Sequence, residues 1–345
     1  MVNVSYLQIA IAIAGALCLL LVMLGYLLIR KKLEQRKMAD LRMMIERIRP
    51  LLIQELLRGE EEELNQIKKD AVFKGAIEET LKNLGANLDS SSFKRTIGDT
   101  AGKYLSDSLN KDLSSRRWAD RMNALVSIKD FQIYSFVPDL WKLYEKSGTS
   151  QEEKNLILQI AAGADDQKLL DVLAVSSPYQ STFFYKQIIR RVSPETLNLI
   201  IASFNDISSS FKVAILSYIG EKRDLSLLPF TESCLDSEDH EVRVNAVKAI
   251  RSIGFISKPQ ALYPYSQSES WVEQMSFAQA AGEIAHPGYK DMLFELLSSS
   301  NWWVRYYAGE ALSKFKDGKL LLKDAAENHQ DAFARDMASQ WLGSV

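Results

Sequence analysis

VRVNAVKAIRSIG, from Val242 to Gly254, and VRYYAGEALSKF, from Val304 to Phe315, are two readings of one pattern. In each, arginine follows valine and a small residue stands three places later: Ala246 after Arg243, Ala308 after Arg305. The apolar positions around them recur every three or four residues, which puts them on one face of an α-helix. Arg335 with Ala338 repeats the pairing near the C-terminus, and Arg121 with Ala124 repeats it far upstream. Arg243, Glu273, Arg305 and Arg335 lie about 30 residues apart, and self-similarity at such a period marks a solenoid. Steps of the same size backwards reach Lys212, Phe184, Lys154 and finally Arg121.

Between these helices, Glu195 to Phe204, Leu225 to Leu235 and Tyr289 to Leu297 read as partner helices. Gly220, Gly254, Pro194, Pro287 and Gly288 read as the turns that separate them. About eight helix pairs result, each too small to bury its apolar stripe alone, so neighbours must stack. Two departures stand out: Glu273 is an acid in the arginine register, and the stretch from 150 to 210 lacks the Val-Arg pair.

On these motifs the chain from 113 to 345 resembles HEAT-like repeats of the short bacterial kind, the type found in phycobilisome lyases. The resemblance implies an all-α solenoid whose second helices line the concave side and bind protein segments. It also implies that Arg121, Arg243, Arg305 and Arg335 tie one repeat to the next, with Ala124, Ala246, Ala308 and Ala338 as structural small residues. Chains of this arrangement are associated with membrane glycosyltransferases or exopolysaccharide machinery, so the resemblance places the partner there. It extends as well to HEAT-fold enzymes, lyases and glycosylases among them, which form the rival reading.

From Tyr6 to Ile29 the sequence YLQIAIAIAGALCLLLVMLGYLLI carries no charge. Roughly 20 apolar residues suffice to cross the hydrocarbon core as a helix. A secretory signal would need a basic start and a small-residue cleavage site, and neither is present, so a retained single-pass anchor is expected. No basic residue precedes the span, whereas Arg30, Lys31, Lys32, Arg36 and Lys37 follow it at once. That asymmetry places residues 1–5 outside the cell membrane, 6–29 across it, and the rest in the cytoplasm. The same basic cluster is suited to anionic lipid headgroups.

Residues 30–112 read as a basic juxtamembrane region and helical stalk. Leu33, Met38, Leu41, Ile45 and Ile48 continue the helix until Pro50, where an interruption is expected. A second helix over Leu51, Leu52, Ile53, Leu56 and Leu57 should stop near Gly59 and the acidic run Glu60 to Glu63. Ile77, Leu81, Leu84 and Leu88 have the spacing of a bundle or coiled coil; docking on the repeats is expected, with self-association as the alternative.

On the helix near Asn301, Val304, Ala308, Ala311, Leu312 and Phe315 form the buried stripe, so Trp302 and Tyr306 should project away from it. Exposed large aromatics one turn apart suit a protein interface, with packing of Trp302 and Tyr306 on the adjoining repeat as the alternative, and Trp118 holds the same register as Trp302. Trp271 and Trp303 read as packing residues. The net charge of -2 gives no reason to expect nucleic acid as a partner. Only His240, His286 and His329 occur, one to a repeat, and Cys18 and Cys234 form no cluster. Asp239, His240 and Glu241 resemble one of the paired motifs of HEAT-fold deoxyhypusine hydroxylase, but a single pair cannot build an iron site. No phosphate loop, dinucleotide turn or nucleophile elbow is present, and no cofactor is expected. The reading is a membrane-anchored, non-catalytic scaffold or adaptor that binds a membrane-associated protein. A self-assembling scaffold is the third possibility.

Overall fold

The computed structural model describes residues 6–59, 62–87, 91–175 and 180–343; the expected extracytoplasmic residues 1–5, together with Glu60, Glu61 and Leu88, fall outside them. The described residues form two compact units that divide between Ile160 and Ala161. Among them there is no strand.

The first unit opens with α1 (Tyr6–Arg58), then α2 (Glu62–Asn65), α3 (Ala71–Asn87), α4 (Ser91–Leu113), α5 (Trp118–Phe131), α6 (Val137–Glu145) and the start of α7 (Gln151–Gly163). The second continues with α8 (Lys168–Val175), α9 (Thr182–Ile189), α10 (Pro194–Ala202), α11 (Ser209–Lys222), α12 (Leu228–Ser233) and α13 (His240–Ile253). It ends with α14 (Tyr263–Ser266), α15 (Trp271–Ile284), α16 (Lys290–Leu296), α17 (Trp302–Ser313), α18 (Gly318–Asn328) and α19 (Ala332–Leu342).

From Ala14 to Ile29 the side chains of α1 are open to the surroundings, and the helix is long and apolar enough to cross a membrane. Pro50 does not interrupt it, contrary to the expectation from sequence. An internal proline forfeits one backbone hydrogen bond and crowds a carbonyl, at a cost of about 3 kcal/mol. Here Ile48 and Leu52 flank it, both fully buried where α1 meets α3, and that packing carries the helix through. Gly59, in the left-handed region at φ 72°, ends it as expected.

Of the two readings of the stalk, docking and self-association, the helices follow the first. Ile77 and Leu81 of α3 are buried, α3 lies on both α1 and α4, and α4 lies on α5. Ser127 of α5 donates to Glu78 of α3 at 2.6 Å, so this bundle is joined directly to the first repeat.

In the second unit the second helix of each pair stacks on the next, α9 on α11, then α13, α15, α17 and α19. Val242, Ala246, Val247 and Ile250, with Val304, Ala308, Ala311, Leu312 and Phe315, enter one continuous apolar core. Two buried tyrosines stitch the repeats: Tyr265 donates to the Leu235 carbonyl at 2.6 Å, and Tyr289 to that of Pro259 at 3.0 Å. The stretch from 150 to 210, which lacks the Val-Arg pair, nevertheless forms α7 to α10 in the same alternation.

Gly220 is not a turn residue. It lies inside α11, where an added Cβ would stand 3.1 Å from the Ala249 Cα, so the glycine admits close approach of α13. Gly254 does end α13 in a left-handed cap, as expected, but α5, α11 and α15 end in left-handed caps at Gln132, Arg223 and Ala285, residues with no turn signature. An L residue there is disfavoured by roughly 1–2 kcal/mol, so Ala285→Gly is expected to stabilise the chain by about 1 kcal/mol. Urea unfolding checks this; an unchanged or lower midpoint would remove the left-handed cap.

Candidate protein-binding surface

The geometry shared by the repeat arginines is local. In α5, α13, α17 and α19 the Nη1 of Arg121, Arg243, Arg305 and Arg335 donates to two carbonyls of the loop just before its own helix. Those carbonyls belong to residues six and five places earlier, so the guanidinium clamps the turn that sets each helix start. The other edge of the guanidinium differs between repeats. Arg121 Nε donates to Glu153 at 2.6 Å, and Arg243 Nε to Glu273 at 2.9 Å, each one repeat further on.

Glu273, which looked like a lapse in the arginine register, is therefore the partner of the arginine before it. Glu153 plays the same part and is fully buried. Burial alone would raise its pKa, but hydrogen bonds from Arg121 and the Ser150 N–H, with the arginine charge, hold it below the usual carboxylate range. An acid one period after an arginine is a sequence signal that periodicity alone does not interpret. Arg305 has Arg335 one period on instead, and its buried Nε meets no hydrogen-bond partner among the described residues. The Phe333 ring lies 5.0 Å from its guanidinium carbon, a cation–π contact in place of the ion pair.

Above this framework stand the aromatics. Asn301 caps α17 by accepting from the Trp303 N–H at 2.9 Å, which fixes where the first turn points. Trp302 stacks on Tyr306 with centroids 5.1 Å apart, Trp303 stacks on Tyr307 at 6.2 Å, and Tyr306 meets Trp341 of α19 at 5.0 Å. Of the two readings for Tyr306, the structure takes the packing one: it is half-buried against the following repeat, because α19 brings an indole over it.

Trp271 and Trp303 depart the other way. They are 45% and 50% exposed, beside 45% for Trp302 and 64% for Phe333. Trp271, Trp302 and Trp303, and Phe333 occupy the first or second position of α15, α17 and α19, so stacking sets them along one edge of the second unit. Trp118, in the first unit, is also exposed but spends its indole N–H on Ser150 Oγ at 3.1 Å. His240 in the same register places its Nε2 within hydrogen-bond distance of Ser270 Oγ, at 3.0 Å.

The apposition of Tyr306 and Trp341 depends on Gly309, where an added Cβ would lie 2.4 Å from the indole Cδ1. Gly309→Ala is expected to displace Trp341 and lose about 1–2 kcal/mol, overpacking outweighing the helix propensity of alanine. Near-ultraviolet circular dichroism should change while the far-ultraviolet spectrum holds; an unaltered aromatic signal would contradict the contact.

Two of the histidines serve local structure. His286 accepts from the Gly288 N–H and His329 from the Asp331 N–H, each closing a turn. Among the described residues no group of His, Cys, Asp and Glu is placed to hold a metal ion. Cys234 is buried, and burial pushes its thiol up to about 11, which leaves little nucleophilic thiolate. Arg30, Lys31, Lys32, Arg36 and Lys37 are exposed along α1, with Arg30 3.2 Å from Glu34.

A stack of helix pairs clamped by arginine and edged with aromatic residues fits a HEAT-like repeat array. Residues 259–343 match the family model of HEAT repeats, covering α15 to α19 with the short helix before them. No curated protein matches the chain.

Proposed function

We propose that this chain is a membrane-anchored adaptor, without catalysis of its own, whose repeats bind a partner protein at the membrane. The observation that carries the reading is the exposed aromatic edge of Trp271, Trp302, Trp303 and Phe333 on a rigid stack. Interfaces draw much of their binding energy from a few large aromatic side chains, and a soluble surface rarely exposes so many together. The apolar start of α1 and the basic residues after it support a single span with the repeats in the cytoplasm. Lys31, Lys32, Arg36 and Lys37, with Arg30 beside Glu34, are exposed where they can meet anionic headgroups at the inner face. The partner class implied by the resemblance is a membrane glycosyltransferase or an exopolysaccharide assembly.

The test is capture of the tagged full chain from gently solubilised native membranes, wild type beside a Trp302→Ala, Trp303→Ala variant. Both substitutions lie at the surface, so the fold should hold and the chain should still resist alkaline extraction from the membrane. Loss of a co-purifying protein in the variant supports the adaptor; the same companions in both would remove the edge from the function. Release of wild type by alkaline extraction would overturn the anchor.

A further inference from the structure

The edge has a charge as well as a shape. Lysine and arginine are absent from 224–242, 259–289, 291–304 and 324–334, the stretches that lead into α13, α15, α17 and α19. In their place stand Asp236, Glu238, Glu241 and Glu269, all exposed at the helix starts. Of the nearby cations, Arg243 is paired with Glu273, and Lys212 beside Asp236, Glu238 and Asp239 offsets only one of those charges, so the α13 start stays net acidic; Arg305 and Arg335 keep their charge at the aromatic end, with Nη1 on loop carbonyls and the Arg305 guanidinium over Phe333. The positive ends of α13, α17 and α19 are likewise taken up by the caps Asp239, Asn301 and Asp331.

The result is a graded strip, acidic at α13, mixed at Glu269 and Trp271, and aromatic at α17 and α19. Helices packed about 10 Å apart make it roughly 30 Å long. An extended peptide of about nine residues would cover it. Indole faces attract ammonium and guanidinium groups, and carboxylates add charge attraction at short range.

We propose that the occupant is an extended cationic segment of another protein, lysine- and arginine-rich with an apolar end, lying across α13 to α19. The apolar end sits on Trp302, Trp303 and Phe333, and the basic residues run over Trp271 toward Glu238 and Glu241. This rests on the adaptor reading and deepens it by fixing the partner's chemistry.

The probe is a fluorescein-labelled peptide of alternating lysine and arginine with a leucine-rich end, beside its glutamate counterpart. Both are titrated by anisotropy against the full chain in detergent. The cationic peptide is expected to bind, to weaken steeply with salt, and to lose about tenfold or more in affinity in Trp302→Ala, Trp303→Ala. A Glu238→Gln, Glu241→Gln, Glu269→Gln variant should lose affinity for the basic peptide by a similar factor. Equal binding of the glutamate peptide, or no effect of either variant, overturns the proposal. Partner capture that depends on Trp302 and Trp303 without any binding of the cationic probe leaves the adaptor standing and sinks only this inference. Concentration-dependent dimerisation abolished by the same tryptophan variant would instead seat a second copy on the strip, and would also overturn it.

Discussion

Glu153→Ala is expected to cost about 3–5 kcal/mol and to loosen the first repeats before the rest of the chain. The carboxylate is fully buried and accepts from Arg121 Nε at 2.6 Å, from Arg121 Nη2 at 3.2 Å and from the Ser150 N–H at 2.8 Å. Removing it leaves a largely buried guanidinium without its counter-charge, the situation in which a buried ion pair is most costly to break. Arg121→Ala should cost as much or more, because it also releases the carbonyls of Ser115 and Arg116. The double variant should be clearly less destabilised than the two single losses added, since neither charge is then left unpaired.

The pair also gives stability a pH dependence of defined sign. A carboxylate whose folded pKa is depressed contributes its full stabilisation above the unfolded value. That contribution fades as the pH falls through the folded value. Wild type should therefore lose stability in acid, below the ordinary carboxylate range, and Glu153→Gln should lose less over the same interval. Thermal melts of both across that interval check it; parallel curves would mean that Glu153 is not paired in solution.

Phe277→Ala is expected to cost about 3–5 kcal/mol, concentrated in the second unit. The ring is fully buried in α15 and meets Tyr289 edge-on at 5.4 Å. Tyr289 in turn hydrogen-bonds the Pro259 carbonyl, so the cavity opens at the joint between two repeats. Repeat arrays transmit stability only between neighbours, so hydrogen exchange should quicken in α14 to α17 while α3 to α5 keep their protection. Uniform loss throughout the chain would mean that the two units unfold as one.

The arginine register shows how far periodicity reaches. Each landing point at the repeat interval, Lys154, Phe184 and Lys212 among them, falls in a second helix, because a stripe of buried residues must recur with the stack. The same logic could not say what an acid in that register does. Glu153 and Glu273 find their meaning only when stacking brings them beside the preceding arginine. Some helix ends resisted: Gln132, Arg223 and Ala285 take left-handed caps without any glycine to announce them, whereas Gly59 and Gly254 announced the ends of α1 and α13.

By itself, the sequence determined an all-α chain, the apolar start of α1, the repeat period and the buried stripe of α17, since each follows from spacing and transfer free energy along a single helix. The tertiary structure decided the rest. It carried α1 through Pro50 on the packing of Ile48 and Leu52, folded the stalk onto α5, and half-buried Tyr306 under Trp341. It also turned Trp271 and Trp303 outward, to stand with Trp302 and Phe333 along one edge. Exposure of a side chain depends on which neighbour arrives beside its helix, and residues distant in sequence supply that neighbour.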